Sequence, residues 1–192
     1  MERYYTEYGK FIIHFEEICF VLNHIIRKIC TQKNMFSIED KRIEILLQGL
    51  TAQPILTKFQ SIILTSELLE NKEVMTMIET FISNFQKVIE HRNFLAHGTF
   101  FYGDPHANID KFQVRNTKLN KKGFYDNTNI ISIESLSDLN KGLFKLMEFI
   151  KLLGFYISNH SKNSVDGLLK EMKLLISDIS VELKIEYKSV QH

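Results

Sequence analysis

The chain has 192 residues, 24 Lys and Arg against 23 Asp and Glu, 44% hydrophobic residues and 11% aromatics, a composition that excludes a disordered or collagen-like polymer. That length suits one domain spanning residues 1–192 and can bury roughly 70% of the unfolded chain's surface, so neither a disulfide framework nor a structural metal is needed to supply a core. A formal net charge of +1 creates no global attraction to polyanions, and any nucleic-acid site must be a local patch.

No apolar run reaches the ~20 residues of a membrane span. The first residues lack the basic, apolar and small-residue succession of a secretory leader. Cys19 and Cys30 fall in one helical pattern, where a rise of about 1.5 Å per residue separates them by ~16 Å, too far for a disulfide. The expectation is a soluble, cytoplasmic protein with no membrane association and two reduced core thiols.

In residues 6–32, Phe11, Phe15, Ile18, Leu22, Ile25 and Ile29 recur every three or four positions, the spacing of one helix face. Ile12, Cys19 and Ile26 widen that face, while Ile13 and Phe20 lie nearly opposite it. A helix apolar on most sides predicts burial on most sides, within the domain or against another chain, and self-association is expected.

A shorter helix is predicted over residues 37–49, with Gly49 as its stop. Pro54 fits the first turn of the next, which carries Ile55, Leu56, Phe59, Ile62 and Ile63. Asn71 can cap a helix of roughly 25 residues that buries Val74, Met77, Ile78, Phe81, Phe85, Val88, Ile89 and Leu95 and stops at Gly98.

Between residues 99 and 135 the helical period vanishes among turn-forming residues. Alternation in residues 111–115 and 130–133 predicts a small β-hairpin or meander inserted between helices. Residues 135–138 offer caps for a helix through Leu139, Leu143, Leu146, Ile150 and Leu153. A last helix is predicted from about 164 to 187, through Leu168, Met172, Ile176, Ile179 and Leu183. The fold class is therefore all-α, a helical bundle with a small β-hairpin insert at about residues 99–135.

The fourth helix ends in His91-Arg92-Asn93-Phe94-Leu95-Ala96-His97-Gly98. An arginine five residues before a histidine is common by chance, so the neighbours matter more than the spacing. Guanidinium offers paired donors to phosphate, and imidazole exchanges protons near neutral pH. Asn93 and His97 are i, i+4 neighbours, so the amide can orient the ring. On a regular helix Arg92 projects about 140° away from His97, and the two converge on one phosphate only if the last turn loosens or a second copy supplies the complement.

This segment resembles the Arg-Asn-x-x-x-His form of the Arg-x4-6-His motif of the HEPN superfamily, the "higher eukaryotes and prokaryotes nucleotide-binding" domains. The likeness rests on Arg92, Asn93 and His97 and on the Ala96-His97-Gly98 ending. It implies a HEPN-like all-α bundle that forms a homodimer, with two motifs facing one composite cleft. It further implies a metal-independent endoribonuclease of toxin–antitoxin, abortive-infection or antiviral type, acting on RNA without a cofactor and restrained by an antitoxin or other partner protein. By position, His97 would be the acid or base, Arg92 the phosphate clamp and Asn93 the orienting partner. One subfamily has a tyrosine two residues after the histidine; here that position is Thr99, which argues against control by tyrosine modification.

In the insert, Lys111, Arg115, Lys118, Lys121 and Lys122 gather near Phe112, Phe124 and Tyr125, a composition suited to gripping a single RNA strand. The plainer alternative is a solvated hairpin whose lysines discourage edge pairing. His91 reads as an exposed helix histidine beside the motif; Glu16 and Glu17 can face the cleft from the first helix, although a buried or solvated carboxylate is the commoner case. His14 and His24 match no zinc spacing, and no metal is expected. The rival readings are a non-catalytic helical module that binds a partner protein through its apolar first helix, and a nucleotide-sensing domain. The plainest is that Arg92 and His97 merely cap a helix C-terminus.

Overall fold

In a computed structural model of the protein, which describes residues 2–31, 41–66, 70–101, 111–120, 123–159 and 166–188, the apolar periods become six helices and four strands. The first helix is α1 (Glu2–Thr31), followed by α2 (Lys41–Leu47), α3 (Ala52–Ile63) and α4 (Lys72–His97). Strands β1 (Thr99–Phe101), β2 (Lys111–Asn120) and β3 (Gly123–Ser132) lead into α5 (Ile133–Asn159), α6 (Asp166–Ser177) and β4 (Ile185–Lys188).

Local chemistry sets the boundaries. Gly49, at φ 72°, takes the left-handed conformation that closes α2. Asn71 caps α4 as its side chain predicts, its Oδ1 accepting the Val74 backbone N–H at 3.2 Å. At α5 the cap lies earlier than expected: Ser132 Oγ accepts the Ser135 N–H at 3.0 Å, and residues 135–138 lie inside the helix.

Helices α1 and α5 run side by side in the same direction. Glu7 meets Asn140, His14 meets the Phe144 ring and Glu17 meets Lys151, in ascending order along both helices. The core between the helices is aromatic. Phe149 of α5 stacks on Phe81 of α4, Phe81 on Phe85, and Phe85 packs against Phe15 of α1, with successive centroids 5.6–5.7 Å apart. Phe59 of α3 meets the edge of Phe81. All-α with a small sheet is the architecture, and among the described residues no helix is long and apolar enough to cross a membrane.

Three expectations need correction. The insert is part of a larger sheet: its strands pair in the order β1-β2-β3-β4, all antiparallel, with the last strand supplied by the C-terminal segment. Residues 178–187 accordingly leave the predicted last helix, which stops at Ser177. The residues 181–186 alternate, with Val181 and Leu183 buried and Glu182, Lys184 and Glu186 exposed, the pattern of an extended strap with one side on the core. Gly142 of α5 lets the strap approach, since a Cβ at that position would lie 2.0 Å from the Ser180 carbonyl oxygen. The third correction concerns the thiols. Cys19 is buried but Cys30 is exposed, and both are unpaired.

Candidate nucleic-acid cleft at the end of the fourth helix

The end of α4 is held from below by the aromatic run. The last ring of that run, Phe15, carries the Arg92 guanidinium carbon 5.9 Å from its centroid. This contact seats a half-buried arginine against an apolar wall, where its charge is less screened than in open water. The Arg92 Nε is buried and makes no hydrogen bond among the described residues.

Arg92 and Asn93 form one side of a cleft of about 850 Å³. Glu16, Cys19, Phe20 and Asn23 of α1 form another side, and residues 50–53 at the start of α3 close it. The Thr51 side chain makes no cap hydrogen bond to the first turn of α3, whose first residues line this end of the cleft.

The carboxylates and thiol of the cleft divide in role. Glu17 is tied to Lys151 of α5 at 2.6 Å, whereas Glu16 has no ion pair among the described residues. Burial pushes the Cys19 thiol up to about 12, with Glu16 adding to the shift and Arg92 opposing it, so this sulfur stays protonated and is no nucleophile.

His97 is the last residue of α4 and is exposed; it stands one turn beyond Asn93 and does not line the cleft. The helix stays regular to its end, so the divergence of Arg92 and His97 persists within one copy. Asn93 is likewise exposed. Within a single chain, the motif therefore supplies Arg92 and Asn93 to the cleft and leaves His97 outside its lining, one helical turn beyond Asn93.

The cationic insert is placed partly. Pairing of β1 with β2 sets Arg115 opposite Thr99, two residues after His97, bringing that cation to the end of the motif helix. Arg115 is exposed. Lys111 and Lys118 belong to the same strand, β2. Lys121 and Lys122 lie outside the described residues. Among the described residues no group of three or more His, Cys, Asp or Glu could hold a metal ion.

His91 is the residue whose role the sequence misplaced. It is half-buried rather than exposed, and it faces the C-terminal strap and not the cleft: its Nε2 accepts the Leu183 N–H at 3.2 Å. Burial lowers its pKa below the ordinary histidine value, against the opposing pull of a Val181 backbone hydrogen bond and of Glu90 and Glu182. The cleft wall from α1 was readable only as a suggestion at Glu16 and Glu17, both of which line it, and Phe20 and Asn23 carry no motif that would have singled them out.

No protein-family model matches the chain, and neither a curated protein nor a solved structure shows significant similarity to it.

Proposed function

We propose that the protein is a cytoplasmic, metal-independent endoribonuclease of bacterial defence or toxin–antitoxin type, with a HEPN-like composite site built by two copies. The observation that carries this reading is the placement of Arg92 and Asn93 in a cleft of about 850 Å³ with His97 exposed one helical turn beyond Asn93. In the proposed reaction the ribose 2′-hydroxyl attacks the adjacent phosphorus, forming the O2′–P bond as the P–O5′ bond breaks. One His97 takes the hydroxyl proton, and the other gives a proton to the departing O5′. Arg92 holds the phosphoryl charge that grows in the transition state. The products are a 2′,3′-cyclic phosphate and a 5′-hydroxyl. Two copies are required because one copy sends Arg92 and His97 in different directions.

The test is cleavage of end-labelled RNA in EDTA by the purified protein. Activity that survives chelation and disappears in both Arg92→Ala and His97→Ala supports the reading, provided the dimer persists. Equal cutting by parent and variants removes these residues from the chemistry.

A second reading, a helical module that docks a partner protein such as an antitoxin, draws support from Tyr5, Ile13 and Phe20 of α1 and Phe155 of α5. Each of these is at least 60% exposed, although each is a large apolar side chain. Tight complex formation without nuclease activity would favour it.

A further inference from the structure

The cleft contains two groups for which the cleavage chemistry has no use. Phe20 lines it with 61% of its surface exposed, although its ring already packs against His24 with centroids 4.1 Å apart. Glu16 lines it as a carboxylate with no ion pair among the described residues, while its neighbour Glu17 is held by Lys151. A bare carboxylate repels an RNA backbone, so it is tolerable in such a cleft only where it faces something that donates hydrogen bonds.

Glu16 and Phe20 are i, i+4 on α1 and therefore neighbours one turn apart on the same face. An unpaired base lying on the Phe20 ring would bring its hydrogen-bonding edge to the residue one turn away. A carboxylate there accepts two parallel N–H groups better than one. Guanine is the natural base that presents two adjacent donors, N1–H and the N2 amino group, on one edge. Adenine and cytosine offer an amino group beside an acceptor, and uracil offers one N–H between two carbonyls. Arg92, which lines the same cleft, supplies the cation for the attached phosphate.

We propose that the cleft seats an unpaired guanine nucleotide, with its base on Phe20, its N1–H and N2 amino group on the Glu16 carboxylate, and its phosphate toward Arg92. This rests on the RNA-binding part of the function proposed above and does not require that the RNA be cut. It makes the same cleft a selector of sequence as well as a holder of the backbone.

Binding of short 2′-O-methyl RNAs, which cannot undergo 2′-hydroxyl attack, tests it. The probes are uridine pentamers carrying guanine, inosine or adenine at the centre, titrated against the full chain by fluorescence anisotropy. The guanine probe should bind about ten-fold more tightly than the adenine probe, with inosine between them because it lacks the N2 amino group. Glu16→Gln should bring the guanine-to-adenine ratio close to one. Phe20→Leu should weaken the guanine probe by about ten-fold, and Phe20→Trp should restore it. Equal affinity for guanine and adenine in the parent protein, or no binding of any probe, overturns the proposal. So does a Phe20→Leu variant that binds normally, or one that changes the molecular mass in light scattering, which would assign Phe20 to a contact between copies. Guanine preference without cleavage of ordinary RNA would retain this site and discard the nuclease; cleavage without the preference would do the reverse.

Discussion

His91 and Arg92 are adjacent on α4, about 100° apart around it, and serve two different flanks. On the strap flank the His91 ring is satisfied from within the chain by the Leu183 backbone N–H, and Val181 and Leu183 close over the core beside it. On the cleft flank the Arg92 guanidinium leans on an aromatic ring, its buried Nε without a partner among the described residues, and neighbouring Asn93 is open to solvent. A polar group that completes its hydrogen bonds inside the fold holds the fold together. Side chains that line an open cleft, as Arg92 and Asn93 do, are left accessible from outside the fold.

The sharpest way to break this contrast is to exchange its consequences. His97→Ala should lower RNA cleavage by roughly 10²- to 10⁴-fold, the usual worth of a general acid or base. Its melting temperature should stay within a degree or so of the parent, because an exposed residue at a helix end contributes little to stability. Circular dichroism melts run beside the cleavage assay check both halves. A large loss of stability in His97→Ala would put that residue on the structural side.

On the other flank, Gly142→Ala forces a methyl group against the Ser180 carbonyl, so strap or helix must shift. The expected cost is about 1–3 kcal/mol in urea unfolding, with faster hydrogen exchange at residues 181–188. An unchanged midpoint would mean that the strap is not held in the position described.

His91→Ala should cost roughly 1–3 kcal/mol, because the Leu183 N–H is left without its acceptor. This interaction also has a pH signature. The folded protein holds His91 below the ordinary value of 6.5 because burial disfavours the cation. The unfolded chain therefore takes up the proton first as pH falls. Stability should be complete above about pH 6.5, decline from there toward the depressed folded value, and lose nothing further from this group below it. His14, shifted down mainly by burial, acts in the same direction, so His91→Gln should remove only part of the acid sensitivity in a series of melts. A stability profile that rises on acidification would contradict the burial of both rings.

The smallest effect sets the scale for a local contact far from either flank. Asn71→Ala removes the cap on Val74 and should cost about 1 kcal/mol in urea unfolding without altering cleavage.

Much of the fold was legible because helical periodicity is a local property. The apolar faces of α1, α4 and α5, the Asn71 cap and the Gly49 stop all follow from residues a few positions apart. The C-terminal strap was legible too and was misread. Val181, Leu183 and Ile185 alternate with Glu182, Lys184 and Glu186, but Ile176, Ile179 and Leu183 also fit a continuing helical face, and the two periods compete over so short a stretch. What decides between them is Gly142, which opens a place for the strap from 38 or more residues away in the chain.

The site divides in the same manner. Arg92, Asn93 and His97 are readable as a string, and the divergence of Arg92 and His97 follows from helix geometry. The walls are not readable. Phe15, Phe20 and the start of α3 reach Arg92 only through tertiary packing, and Arg115 reaches the end of α4 only through the register of β1 on β2.

The most direct measurement is the chemistry of the cut ends. RNA treated with the parent protein in EDTA should carry 2′,3′-cyclic phosphate and 5′-hydroxyl termini by mass spectrometry, and none should form with His97→Ala. Fragments ending in 3′-hydroxyl and 5′-phosphate, or the same cyclic ends in equal amount from His97→Ala, would contradict 2′-hydroxyl attack assisted by this histidine.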